Sequence, residues 1–217
     1  MKPVRIVIFA KEPRAGFSKT RLVPALGEQG AAALAKQLLD RMLQAATASG
    51  VGVVEVCVTP WSSEVVWRQL GVPESVQLTD QGDGDLGARM ARAAQRVIGE
   101  GDSVLLVGTD CPQLDAGQLQ RAAHALQGAD ATLIPAFDGG YVLLGLNRFD
   151  ASVFFGIAWS TSNVAAATQE RLQTLQWRVQ TLAPLHDIDE PADLQHLPAA
   201  LSKSLALAHG FMLTSPT

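Results

Sequence analysis

The chain has 217 residues, 47% hydrophobic and 18% charged, which is enough to bury a full core and within the range of one large domain, so a single domain over 1–217 is expected. A formal charge of −4 leaves no basic stripe for a phosphate backbone, which argues against a nucleic-acid partner and requires any important cations to act locally. Cys57 and Cys111 stand in no CxxC or His-rich spacing, against a structural zinc or a disulfide scaffold, and fit a reducing compartment. The stretch before Lys11 is too short for a signal peptide's apolar region or a membrane span, so a soluble, cytoplasmic chain is expected.

In chain order, residues 4–10 are a β-branched apolar run, the pattern of a strand buried on both faces of a parallel sheet. A Pro/Gly-containing loop over 11–24 follows. From about 28 to 49, Leu34, Leu38, Met42 and Ala45 fall at helical spacing, and Gly50 stops the helix. Residues 51–58 form a second apolar run. Helix signals at 64–70, 86–98 and 119–126 then alternate with strand signals at 75–78, 103–107 and 131–135, which implies βαβ units and a mostly parallel sheet. After Pro135 the pattern changes: Phe137-Asp138-Gly139-Gly140 makes a tight turn into the apolar run 141–146, a local hairpin-like excursion. A helix at 164–175, a strand at 177–182 and an Asp-rich turn at 186–190 come next, and Pro191 is placed to open a closing helix. The segment after Pro198 reads as helical to about His209, with the last few residues loose. The expected architecture is a three-layer α/β/α fold with a mostly parallel central sheet and a small antiparallel excursion.

Ligands of open α/β sheets sit beyond the carboxyl ends of the strands, so the residues that follow each strand signal are the ones to inspect. After the first strand, residues 11–22 gather Lys11, Arg14, Lys19 and Arg21 around Gly16 in an otherwise acidic chain. Cations and free loop amides are what a polyphosphate requires; the alternative is a solvated basic loop. Within this loop no GxGxxG occurs, and Gly16-Phe17-Ser18-Lys19-Thr20 lacks the upstream glycine and the Gly-Lys pair of a P-loop.

Gly108-Thr109-Asp110-Cys111-Pro112 sets a carboxylate at a central strand tip, where it can ligate Mg²⁺ or cap a turn. Asp187-Ile188-Asp189-Glu190-Pro191 follows the last strand onto the same rim, and its own alternative is helix capping. Two acidic loops facing a Lys/Arg loop point to a metal–pyrophosphate site, in which like charges repel while the site is empty, so that Asn at either aspartate relieves strain. The junction from Gln81 to Met90 is glycine-rich; its glycines let backbone approach a flat ligand, while Asp85 reads first as the N-cap of the next helix. Asp138 sits at a turn tip, His186 reads as a hydrogen-bonded bystander and Cys111 as packing, and Trp159-Ser160-Thr161 either lines an acceptor pocket or buries area.

Six ordered blocks carry a wider likeness: Phe9-Ala10-Lys11-x-Pro13-x-x-Gly16-x-x-Lys19-Thr20-Arg21-Leu22, Gln81-x-Gly-x-Gly84-Asp85-Leu86-Gly87-x-Arg89-Met90, Gly108-Thr109-Asp110-Cys111-Pro112, Asp138-Gly139-Gly140-Tyr141, Trp159-Ser160-Thr161, and Asp187-Ile188-Asp189-x-Pro191-x-Asp193-Leu194. Over nearly the whole chain they resemble the bacterial glycosyltransferase-like family of the nucleotide-diphospho-sugar transferase (GT-A-like) fold that is associated with radical-SAM and selenodomain genes. Its wider relatives include sugar-nucleotide synthases and the phospholactate and molybdenum-cofactor guanylyltransferases. The resemblance implies Mg²⁺ or Mn²⁺ held by Asp110 and Asp189, with Lys11, Lys19 and Arg21 on the phosphates. Gly16, Gln81, Gly84, Asp85, Gly87 and Thr109 complete the nucleotide-binding set, and Asp138, Gly139, Gly140, Trp159 and Ser160 form the acceptor pocket.

The implied partners are a nucleotide donor and a small-molecule acceptor. Lys19, Asp110 and Asp138 are the expected catalytic residues, with Asp138 as base if the donor is a nucleotide sugar. Thr109-Asp110-Cys111 is not an Asp-x-Asp, which suits the alternative of a nucleotidyltransferase that joins a nucleoside triphosphate to a phosphorylated small molecule. A non-catalytic nucleotide-binding protein is the third reading. Donor base, sugar, acceptor and oligomeric state are not specified by the sequence.

Overall fold

The computed structural model describes residues 2–209. In chain order its elements are β1 Val4–Lys11, α1 Val23–Ser49, β2 Val53–Thr59, α2 Glu64–Gln69, β3 Gln77–Asp80, α3 Leu86–Gly99, β4 Ser103–Gly108 and α4 Ala116–Ala125. These are followed by β5 Ala131–Pro135, β6 Tyr141–Leu146, α5 Val164–Thr174, β7 Val179–Thr181 and α6 Ala199–His209, with short 3-10 turns at Thr20–Leu22, Ala151–Val153 and Pro191–His196. The end expected to be loose lies outside the described residues, and among the described residues no helix is long and apolar enough to cross a membrane.

One seven-stranded sheet runs in the order β3-β2-β1-β4-β6-β5-β7, and β6 alone is antiparallel to its neighbours. Strand alternation sends Ile6, Ile8, Leu105 and Val107 to one face, where Leu39, Met42, Trp67 and Leu119 of α1, α2 and α4 cover them. Val7, Val104 and Leu106 go to the other face, under Met90, Ala94 and Val97 of α3 and Leu172 of α5. The result is the expected three-layer α/β/α fold.

The 141–146 run forms the expected antiparallel hairpin with β5, and β6 lies inside the sheet between β4 and β5, because Val142 to Leu146 are buried and need cover on both faces. One expectation is corrected. Pro191 opens a 3-10 turn rather than a full closing helix, stopped when Leu197 returns to extended backbone ahead of Pro198. α1 also departs from regularity, breaking at Gly27 (φ 68°, ψ 167°), so its unbroken part begins where the periodic pattern does.

Since β6 runs against β4 and β5, the 136–140 turn and Tyr141 face the rim that carries the carboxyl ends of β1 to β4. The chain after β7 returns to that rim. Leu185 bridges to Ala136, and Ile188 N–H donates to the Asp110 carbonyl at 2.9 Å. These two links bring the second acidic loop against the first.

Candidate functional site

A cavity of about 800 Å³ opens at this rim, lined among others by Lys11, Lys19, Arg21, Gln81, Thr109, Asp110, Asp138, Trp159, Ser160 and Asp189. Lys19 is its centre. Its side chain is only 7% exposed, and its ammonium lies 2.7 Å from Asp110 Oδ1, 2.7 Å from Asp189 Oδ1 and 2.5 Å from the Ile188 carbonyl oxygen. Burial on its own would lower the Lys19 pKa, but Asp110 and Asp189 more than offset it, so the net shift is upward and the amine is held charged.

Lys19 also adopts left-handed backbone (φ 50°, ψ 40°), and Ser160, on the cavity wall, does the same (φ 63°). Non-glycine residues avoid that region unless surrounding contacts impose it.

The carboxylates crowd one another. Asp187, which the sequence reading grouped but gave no role, has its carboxyl pushed up to about 6 by burial and by the charges of Asp138, Asp189 and Asp110. Among the described residues no three His, Cys, Asp or Glu side chains converge as a ready metal cage. The available donors are the Asp110 and Asp189 carboxylates with the Ile188 carbonyl. Asp193, also without an expected role, accepts the backbone N–H groups of Asp189 (3.0 Å) and Glu190 (2.7 Å) and so fixes the acidic loop.

The basic loop divides in two. Lys11 and the Arg14 guanidinium stack on Phe17, 4.2 and 4.5 Å from its ring centre, and Arg21 stands 3.8 Å from Glu190. Lys11 and Arg21 face the cavity, whereas Gly16 shapes the turn behind them at φ 69°.

In the glycine-rich junction, Gln81 and Arg89 reach the cavity while several of its groups are tied to the protein itself. Gln81 is buried, donating through Nε2 to the carbonyls of Ala10 (3.2 Å) and Cys57 (2.9 Å), and its Oε1 accepts from Arg89 at 3.2 Å. Gly84 accepts at its carbonyl from Arg89 Nε (3.0 Å), and Asp85 caps α3 by accepting from Ala88 N–H at 2.8 Å. Gly87 makes room for protein rather than ligand: a Cβ there would lie 2.4 Å from Trp159 Nε1 and 2.7 Å from the Phe154 carbonyl oxygen. Gly16, Gly84, Asp85, Gly87 and Gly139 thus lie outside the cavity lining.

On the expected acceptor side, Asp138, Gly140, Trp159 and Ser160 line the cavity. Asp138 Oδ1 accepts from Gly140 N–H at 2.8 Å, the geometry of its turn, which leaves Oδ2 for other partners. Gly139 is a docking point, since a Cβ would come within 1.9 Å of the Ser162 carbonyl oxygen. His186 is stacked between Phe137 (4.0 Å) and His196 (3.7 Å). Arg89 and Tyr141 line the cavity without having been assigned a role, although both stand inside the quoted motifs.

A cavity at the strand tips of this sheet, with a buried lysine between two aspartates, defines a protein of the nucleotide-diphospho-sugar transferase-like class. The chain belongs to the family described as "Uncharacterized protein conserved in bacteria (DUF2064)", whose family model matches residues 42–161. It is 32% identical to a "putative nucleotide-diphospho-sugar transferase" from Desulfovibrio desulfuricans G20, over 94% of this chain and 90% of that one, with a TM-score of 0.84. A cytidylyltransferase from Leptospira borgpetersenii is 13% identical over 100% and 99% of the two chains (TM-score 0.58). A manganese complex of Rv0371C from Mycobacterium tuberculosis H37Rv is 19% identical over 91% and 98% (TM-score 0.52). These last two share the fold alone. No curated protein matches the chain in sequence.

Proposed function

We propose that the chain is a cytoplasmic, single-domain, metal-dependent transferase that takes a nucleotide donor, glycosyltransferase-like in its chemistry. The observation that supports this reading is the convergence of Lys19, Asp110 and Asp189 on one cavity at the strand tips, with Lys11 and Arg21 on its wall. Carboxylate and carbonyl oxygens are hard donors, and Mg²⁺ takes one or two carboxylates beside phosphate oxygens, so Asp110 and Asp189 fit Mg²⁺ or Mn²⁺. The manganese-bound Rv0371C relative in fold is in keeping with this. Bound there, the ion supplies positive charge opposite a diphosphate. Lys11, Lys19 and Arg21 hold the phosphates and stabilise charge growing on the leaving group. Asp138 takes the proton of an acceptor hydroxyl, and Trp159, Ser160 and Gly140 shape the acceptor side.

The cytidylyltransferases of the same fold favour a second reading, nucleotidyl transfer from a nucleoside triphosphate to a phosphorylated acceptor with loss of pyrophosphate. There the acceptor phosphate attacks the α-phosphorus and needs no base, so Asp138→Asn spares nucleotidyl transfer and stops glycosyl transfer. Binding without release of pyrophosphate or nucleoside diphosphate across a substrate panel would instead indicate a non-catalytic nucleotide binder.

The test is a thermal-shift screen of nucleoside triphosphates and nucleotide sugars with Mn²⁺ or with excess chelator. Nucleotides are expected to raise Tm only with metal, and Asp110→Asn and Asp189→Asn each to remove that dependence. Equal nucleotide binding in chelator would reduce both carboxylates to loop caps.

A further inference from the structure

We propose that Lys19 is an exchangeable cation: in the empty protein it occupies the metal position between Asp110 and Asp189, and entry of a divalent ion turns it out toward the donor phosphates. The proposal rests on the metal-site reading above and adds an order of events to it.

An ammonium carries three N–H donors. Those of Lys19 meet three oxygens, Asp110 Oδ1, Asp189 Oδ1 and the Ile188 carbonyl, at 2.7, 2.7 and 2.5 Å. The set is saturated, so this Lys19 has no donor left for a phosphate. A phosphate-binding Lys19 and a metal on Asp110 and Asp189 therefore cannot both be read onto the present arrangement. Each needs the side chain to leave.

The same three oxygens, two of them anionic, are of the kind a small divalent cation selects. Asp138 and Asp187 line the same cavity as Asp110 and Asp189, so a single ammonium faces several carboxylates there. A divalent ion brings more. Lys19 lines the cavity already, and its four-carbon stem can swing the ammonium outward without moving the backbone.

Two consequences follow from the exchange. Metal alone binds weakly, because it must displace a well-paired ammonium. A nucleotide gives the displaced ammonium a new partner, so nucleotide and metal each tighten the binding of the other by the same factor. In the absence of both, Lys19 keeps the acidic cluster neutral enough to persist.

The test uses the full chain and Mn²⁺ alone. Binding is followed by the electron paramagnetic resonance of free Mn²⁺ for the wild type, Lys19→Met and Lys19→Gln, without nucleotide. Both variants are expected to bind Mn²⁺ tighter than the wild type, by roughly tenfold or more. Acetylation of the wild type, read by peptide mass spectrometry, gives a measure that needs no variant. Lys19 should be protected without metal and become labelled in Mn²⁺-saturated protein, with exposed Lys11 labelled in both. Equal Mn²⁺ affinity in wild type and variants, or a Lys19 that stays protected under saturating Mn²⁺, overturns the exchange and leaves the metal site standing. Absence of Mn²⁺ binding in all three proteins sinks the metal site, and the exchange with it.

Discussion

At Gly87 a hydrogen stands where any other residue would put a carbon 2.4 Å from Trp159 Nε1. The glycine of this motif is therefore explained by a side chain 72 positions later, which packs on the start of α3 and forms part of the cavity wall. Gly87→Ala forces Trp159 or the Phe154 backbone to move. Overpacking of this kind is expected to cost about 1–3 kcal/mol in urea unfolding and to blue- or red-shift the tryptophan emission as the indole leaves its seat. A close approach by a ligand would predict instead an unchanged unfolding midpoint with lost nucleotide binding. The residue type was legible in the sequence; what it makes room for was not, because the neighbour is distant in the chain.

Among the elements, α3 shows how a capping signal and a binding signal can coincide. Asp85 precedes an amphipathic run and accepts from the N–H of Ala88, the third residue of the helix, as an N-cap does. Asp85→Ala is expected to lower stability by about 0.5–2 kcal/mol and to leave nucleotide affinity unchanged, measured by chemical denaturation and by titration. The strands were legible to within a few residues, since apolar runs bounded by Gly, Pro and Asp mark them. The place of β6 was not. A run buried on both faces can lie anywhere inside a sheet, and only pairing with β4 on one side and β5 on the other decides its position.

Across the whole molecule, charge is organised at both ends of the sheet. Away from the cavity, Glu55 is fully buried and tied to Arg96 of α3, to Thr79 Oγ1 of β3 at 2.6 Å and to Arg5 of β1 at 3.7 Å. Arg96→Met strands that carboxylate and is expected to cost toward the lower end of about 3–5 kcal/mol, since Arg5 remains. Arg96→Met combined with Glu55→Gln should recover much of the loss in the same unfolding experiment.

At the cavity end, the Lys19 contacts lead to the opposite expectation from two bare facing carboxylates. Asp110→Asn or Asp189→Asn removes a partner of a buried ammonium, so each is expected to destabilise the empty protein by about 1–2 kcal/mol rather than relieve repulsion. Their own exposures of 46% and 39% keep the figure modest. Scanning calorimetry without metal or nucleotide decides the sign.

By itself the sequence determined the strand-helix alternation, the acidic and basic character of the loops at the strand tips, and so which residues could meet at one rim, because periodicity and loop chemistry are local properties. Only the tertiary structure decided that Lys19 lies between Asp110 and Asp189, that Gln81, Asp85 and Gly87 are occupied by the protein's own groups, and that Asp193 holds the acidic loop in place. Those outcomes depend on which atoms the packed chain brings within hydrogen-bond distance, across separations such as the 170 residues between Lys19 and Asp189.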